Sequence, residues 1–303
     1  MNARLSSAAR TLRDPLLIQY AWARRRFRRA GLVERQIELP SASVHCWAAE
    51  ADDRPPLLLL MGFGASVEWQ FHPNVRALAK HRRLIVPDLV HFGGTTARGT
   101  ENTIQLQVDV MIELLDHFGI EQADVGGLSY GGFVALGLTQ QHRERVGRTI
   151  LIASPGHAMQ PADYDAMCGR FDVDCMSEVL MPHGPEGVTT LMQIAWHSPP
   201  WIPKRLLGQV HTHLFSDRVE HKRALLADLV GLFEERPEYV EPPGPVLLVW
   251  GEHDAIFPVE VGHRLRRMLG ARAQMTVLRK AAHAPQLEHP RRFNRAVSDF
   301  LRG

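Results

Sequence analysis

The stretch "DVGGLSYGGFVAL" (residues 124–136) decides how the rest of this chain is read. It opens as a short apolar strand and continues, from Phe133, as an apolar helix. Between the two lies Ser129, with Gly126 and Gly127 before it and Gly131 and Gly132 after it. Gly127-Leu128-Ser129-Tyr130-Gly131 fits G-x-S-x-G, in which a serine occupies a strained strand-to-helix turn with its hydroxyl exposed at the carboxyl end of a sheet. A side chain at either glycine would collide with the neighbouring strand or helix as the chain reverses. The helix that follows supplies backbone N–H groups and a dipole that favours developing negative charge. The pentapeptide is a modest signal alone. Its setting, strand before and helix after, gives it weight.

Working outward, "PPLLLLMGFGAS" (55–66) is wholly apolar before its glycines and too short for a helix, as expected of a central strand buried on both faces. "RLIVPDL" (83–89), "RTILIAS" (148–154), "PVLLVWGEHD" (245–254) and "QMTVL" (274–278) read as further strands, with two more, 35–39 and 43–49, around Pro40. Helical stretches at 67–81, 102–118, 133–141, 258–269 and 290–301 separate them. In the second of these, Ile104, Val108, Met111, Ile112, Leu115 and Phe118 recur at helical spacing. Strands alternating with helices predict an α/β fold with a mostly parallel sheet and helices on both faces. The rhythm breaks near Pro155. Up to about Glu241 there is no clear strand, only helical stretches such as 188–196 and 224–233. The expected organisation is a basic amphipathic segment over 1–34, a core over 35–155 and 243–303, and a helical cap over 156–242, inserted before the strand that carries the acid.

A serine nucleophile needs a base, and the base needs an orienting group. His283, in "AAHAPQLEHP", follows the last strand; His289 is nearby but falls at a helix start. Asp254 follows "LLVWGEH", with Glu252 as its neighbouring alternative. The order Ser129, Asp254, His283 is that of a triad built on an α/β sheet. Each follows a strand, so all three would meet at one sheet edge. Gly62 and Gly64 flank Phe63 just beyond a central strand. The backbone N–H groups of Phe63 and Tyr130 are the expected oxyanion donors.

These pieces together resemble the α/β-hydrolase superfamily with a helical cap, over residues 35–301: "LLLLMGFGAS" for the oxyanion loop, "GGLSYGG" for the nucleophile turn, "WGEHDAIFP" for the acid loop and "HAPQLEHPRRFN" for the histidine loop. The resemblance implies Ser129 as nucleophile, His283 as base, Asp254 as orienting acid, and Phe63 and Tyr130 as oxyanion donors. "DLVHFGGTT" (88–96) and the basic leader resemble membrane-associated monoacylglycerol lipases and related carboxylesterases. Two positions depart from the family pattern. Met61 stands where a loop-bracing histidine is usual, and Val90-His91-Phe92-Gly93 replaces proline-glycine-histidine-glycine. Serine at 129 disfavours relatives that use an aspartate nucleophile.

The expected activity is therefore hydrolysis of a lipid-like carboxylic ester with an apolar acyl part. Carbon–carbon bond hydrolysis of a diketone-type substrate on the same triad is the first alternative, and a slow-turnover binding or receptor protein the second. The cap's Met159, Met192 and Trp196 are the expected substrate contacts, methionine being an adaptable lining. No cofactor and no metal site are expected. The formal charge of +2 gives no argument for nucleic acid. The odd set Cys46, Cys168 and Cys175 reads as reduced thiols. No secretory leader or bilayer-length apolar run is evident, so a cytoplasmic location is expected. Residues 1–34, with Arg10, Arg13, Arg24, Arg25, Arg26, Arg28 and Arg29 around apolar and aromatic anchors, would lie on the inner face of a membrane or pack on the body.

Overall fold

In a computed structural model, which describes residues 15–235 and 241–303, the apolar run before the oxyanion-loop glycines forms a mid-sheet strand whose leucines at 57–60 are almost wholly buried. Helices cover both faces there, so no polar alternation survives. The strands are β1 (Leu32–Glu38), β2 (Ala42–Ala49), β3 (Pro56–Leu60), β4 (Arg83–Pro87), the short β5 (Thr96–Ala97), β6 (Ala123–Leu128), β7 (Val146–Ile152), β8 (Val246–Gly251) and β9 (Ala273–Leu278). Their order is β1-β2-β4-β3-β6-β7-β8-β9, with β5 paired to β2. β2 is antiparallel to β1, β4 and β5; the pairs from β4 across to β9 are parallel. The parallel run puts the carboxyl ends of β3, β6, β8 and β9 on one edge.

The helices are α1 (Pro15–Arg29), α2 (Val67–Phe71), α3 (Val75–Leu78), α4 (Ile104–His117) and α5 (Tyr130–Gln141). Between β7 and β8 come α6 (Pro161–Phe171), α7 (Met176–Leu180), α8 (Gly184–Ala195), α9 (Lys204–Leu214) and α10 (Val219–Glu235), followed later by α11 (Val259–Leu269), α12 (Pro285–Glu288) and α13 (Pro290–Arg302). The described residues between β7 and β8 hold no strand. The expected helix over 67–81 is two short ones, because Pro73 has no N–H to continue the ladder. α6 and α9 escape a reading by periodicity: prolines and histidines interrupt their apolar pattern.

The N-terminal boundary also moves. β1 starts at Leu32, inside the segment set apart as 1–34, and α1 packs on the body, one of the two expected placements. Leu16, Ala23 and Phe27 are buried, with the Phe27 ring 5.3 Å from Trp47. Arg24 pairs with Glu34, and Arg26 donates to the His72 carbonyl at 2.9 Å. Ile18 and Trp22 stay exposed. Arg10 and Arg13 lie outside the described residues. The three cysteines are free thiols, and no helix among the described residues is long and apolar enough to cross a membrane.

Candidate active site

Ser129 sits between the end of β6 and the start of α5 with φ +49° and ψ −116°, a conformation few L-residues adopt. Close packing enforces it. A Cβ on Gly127 would overlap the Gly131 carbonyl, one on Gly131 the Met61 carbonyl, and one on Gly132 the Ser154 side chain. Each of these three glycines is thus required by a specific neighbour. A Cβ on Gly62 would come within 3.2 Å of Leu128, so the loop after β3 lies directly against the turn.

The fold brings the three sequence-predicted side chains together. His283 Nε2 lies 2.9 Å from Ser129 Oγ, and His283 Nδ1 lies 2.9 Å from Asp254 Oδ2. The other Asp254 oxygen accepts from the N–H groups of Ile256 (3.0 Å) and Phe257 (2.9 Å), which fixes the carboxylate plane. An ionised carboxylate only accepts, so Nδ1 carries the proton and Nε2 is free to accept from the serine hydroxyl. Ser129 and Asp254 are buried, and the Phe257 ring packs 5.5 Å from the imidazole. The two alternatives are engaged elsewhere: His289 bonds the Lys280 carbonyl at 2.8 Å, and Glu252 accepts from the Lys280 N–H at 3.3 Å.

Phe63 and Tyr130 flank the serine. The Tyr130 N–H opens α5 and has no intrahelical acceptor, and neither residue's N–H has a protein acceptor among the described residues. Their rings lie 5.9 Å apart, and Phe92 packs 5.0 Å from Phe63.

With this arrangement in hand, comparison with known proteins is decisive for the family: the model described as the alpha/beta hydrolase family matches residues 44–296. The chain belongs to the alpha/beta hydrolase family. Among curated sequences, this hydrolase is 28% identical over 274 residues to a 2-hydroxymuconate semialdehyde hydrolase of Pseudomonas sp. strain CF600, covering 81% of this chain and 86% of that one. Among solved structures it is similar to a bacterial membrane phospholipase A (TM-score 0.77, 22% identity, 99% and 96% of the two chains). It is also similar to a putative lipase of Acinetobacter baumannii (TM-score 0.78, 20% identity, 93% and 94%). At such identities the structural likenesses speak for the fold.

A residue that sequence reasoning missed takes up the bracing role left open by Met61. Gln70, on α2, accepts from the Gly62 N–H at 2.7 Å and donates to the Gly62 and Gly64 carbonyls at 3.1 and 3.2 Å. It clamps the loop on both sides of Phe63. α2 is itself oriented by Asp88, which accepts from the Val67 N–H (2.9 Å), the Gly94 N–H (3.1 Å) and His45 Nδ1 (2.7 Å). Burial pushes the Asp88 acid up, while His45 and the Val67 N–H favour its charged form. Burial pushes the His45 imidazole down, but Asp88, Glu68 and Glu34 together outweigh it and raise the group to about 9. This explains why the one position of that loop that keeps the family residue is Gly93, since a Cβ there would overlap Asp88. In the same loop His91 stacks on His221 of α10 at 4.3 Å, and burial, then His221 and Arg218, lower it to about 4. The only sequence signal for Gln70 was its closeness to the loop glycines.

Glu288 was missed as well. It accepts from the Ala282 N–H at 2.6 Å and from the His197 and Ser198 N–H groups at 2.8 and 3.2 Å, tying the histidine loop to the insertion. The three expected substrate contacts separate. Met159 lines a cavity of 670 Å³ with Phe133, Leu136, Leu232 and Phe233. Met192 packs in a small apolar cluster with Leu16, Val188 and Val210. Trp196 ends α8, half-buried, directly before His197. No metal-ligand spacing is visible in the sequence, yet the fold gathers Glu34, His45 and Glu68 with ligand atoms within 4.8 Å of one another. Protein partners already occupy that cluster: Asp88 on His45, Arg24 on Glu34, and Trp47 (2.9 Å) and Tyr20 (3.1 Å) on Glu68.

Proposed function

We propose that this hydrolase cleaves carboxylic esters with an apolar acyl part through an acyl-enzyme. The observation that carries the reading is the unbroken chain from Asp254 through His283 to Ser129, 2.9 Å at each link. Ser129 Oγ attacks the carbonyl carbon while its proton passes to His283 Nε2. The carbonyl π pair moves onto oxygen, facing the N–H groups of Phe63 and Tyr130, each worth about 2.7–4 kcal/mol if lost. Collapse breaks the bond to the alcohol, which leaves with the proton from His283. Water then gives a proton to His283 and attacks the acyl carbon. Collapse frees the acid and returns the proton to Ser129. Asp254 stays ionised throughout and stabilises the imidazolium.

A second reading is carbon–carbon hydrolysis of a diketone-type acid, favoured by the activity named for the sequence relative. The same relay would serve, with carbon taking the proton. An acid substrate calls for a cation, whereas the titratable groups lining the large cavity are Asp228 and His157, the latter pushed down by burial, with neither lysine nor arginine among them, which favours a neutral ester. The intact relay likewise argues against a mere binding protein. An assay of short and long acyl esters against a vinylogous diketone separates the readings. Ser129→Ala is expected to lose on the order of 10⁶ in kcat and all labelling by a fluorophosphonate; full ester turnover in that variant would refute the proposal.

The outward face of α1 supports a peripheral role at an anionic membrane surface on the cytoplasmic side. Ile18 and Trp22 are exposed beside Arg25 and Arg29 on a helix with no acidic residue in its first turn. Trp201 of the insertion, 86% exposed and followed by Lys204 and Arg205, is a second anchor of the same kind.

A further inference from the structure

We infer that the 670 Å³ cavity binds the acyl arm of the substrate, and that Phe133, Phe233 and Phe257 form a movable partition between it and Ser129. This rests on the serine-esterase reading above. The cavity follows one stripe of α5: Phe133, Leu136, Gly137, Gln140 and Gln141 recur at helical spacing along it. Phe133 is one turn from Ser129, about 6 Å along the helix axis, so the inner end of the stripe starts at the nucleophile's own turn. Gly156 and Met159, also in the lining, lie just beyond the carboxyl end of β7, next to the strand that carries Ser129. The cavity therefore begins at the sheet edge where the relay is assembled. Its volume falls in the range of about 300–1,000 Å³ that suits a small-molecule site.

None of the relay side chains lines the cavity; aromatic rings stand between. Phe133 lies 5.7 Å from Phe233 and 6.2 Å from Phe257, and Phe257 lies 5.5 Å from His283. Phe133 belongs to α5 and Phe233 to α10 of the insertion, so a rotamer change or small shift of α10 parts the pair without disturbing the sheet. The polarity of the lining is graded. Phe133 and Phe233 mark the inner end, and Gln105 and Gln141, bonded to each other at 2.8 and 2.7 Å, mark the exposed outer end. An ester with its carbonyl at Ser129 would lay hydrocarbon along the inner part and bring only the chain terminus to the polar rim. Asp228, its acid pushed up by burial, accepts from the Ile104 N–H at 2.7 Å and offers no positive charge to a free acid entering head-first. The class assigned is thus a medium-chain acyl ester.

The test compares labelling rates of the full-length protein by two fluorophosphonates, one ethyl and one dodecyl, in wild type and in two variants. Leu232 is only half-buried on α10, so Leu232→Trp fills the cavity without opening the core. Wild type is expected to react faster with the dodecyl probe, and Leu232→Trp to lower the dodecyl-to-ethyl ratio by on the order of tenfold or more, several methylenes losing their apolar contact. Phe233→Ala, which thins the partition, is expected to raise that ratio. Leu232→Trp should keep a cooperative thermal transition close to that of wild type, which shows that the variant is folded. A ratio unmoved by Leu232→Trp, or equal rates for both probes in wild type, overturns the cavity assignment alone. Failure of both probes to label Ser129 overturns the esterase reading, and this inference with it.

Discussion

Replacing Gln70 tests whether the loop that carries Phe63 is set by a side chain or by its own backbone. Gln70→Leu is nearly isosteric and removes three hydrogen bonds, to the Gly62 N–H and to the Gly62 and Gly64 carbonyls. At about 0.5–1.5 kcal/mol net each, they hold the loop by roughly 2–4 kcal/mol. A displaced Phe63 N–H would cost at most about 2.7–4 kcal/mol of transition-state stabilisation. Partial displacement is expected, because the Phe63 ring remains packed on Phe92 and Tyr130. The expected loss in kcat is therefore on the order of 10–10² with KM changed by less than about threefold, the signature of a transition-state interaction. Gln70→Glu is the sharper variant: it can still accept from Gly62 but sets a carboxylate against two carbonyls, so it should be no better than Leu. Initial rates with a short acyl ester, alongside thermal melts, read both. If kcat holds within about twofold while the melting temperature drops, Gln70 is only structural and the positioning argument fails.

Two further expectations concern the region behind that loop and the N-terminal helix. His45 is raised to about 9 when folded, against about 6.5 unfolded, so its contribution is complete below the lower value and lost as pH rises through the upper one. Unfolding free energies from urea titrations at the two ends of that window should differ by on the order of 2 kcal/mol more in wild type than in His45→Gln; equal differences would show that the pairing of His45 with Asp88 and its acidic neighbours contributes nothing. Vesicles containing anionic lipid should co-sediment with wild type, less so at high salt, and lose most of the protein when Ile18 and Trp22 are both changed to Ser. Unchanged sedimentation would remove α1 as the anchor.

The relay was legible because its residue types and their order are local signals. Ser129 is marked by glycines that close neighbours demand, and Asp254 and His283 each trail an apolar strand. Gln70 and Glu288 were not legible, because each acts through backbone groups of segments that meet it only after folding. The same holds for Glu34, His45 and Glu68, whose spacing in the chain says nothing of their proximity.

By itself the sequence determined the family, the alternation that makes the sheet parallel, and the three side chains at its carboxyl edge, since periodicity and glycine placement are properties of neighbouring residues. Only the tertiary structure decided that α1 docks on the body, that Met192 and Met159 part company, and that a cavity runs along α5 behind three rings. Those are outcomes of how distant surfaces pack, and packing energy depends on which atoms meet rather than on where they lie in the chain.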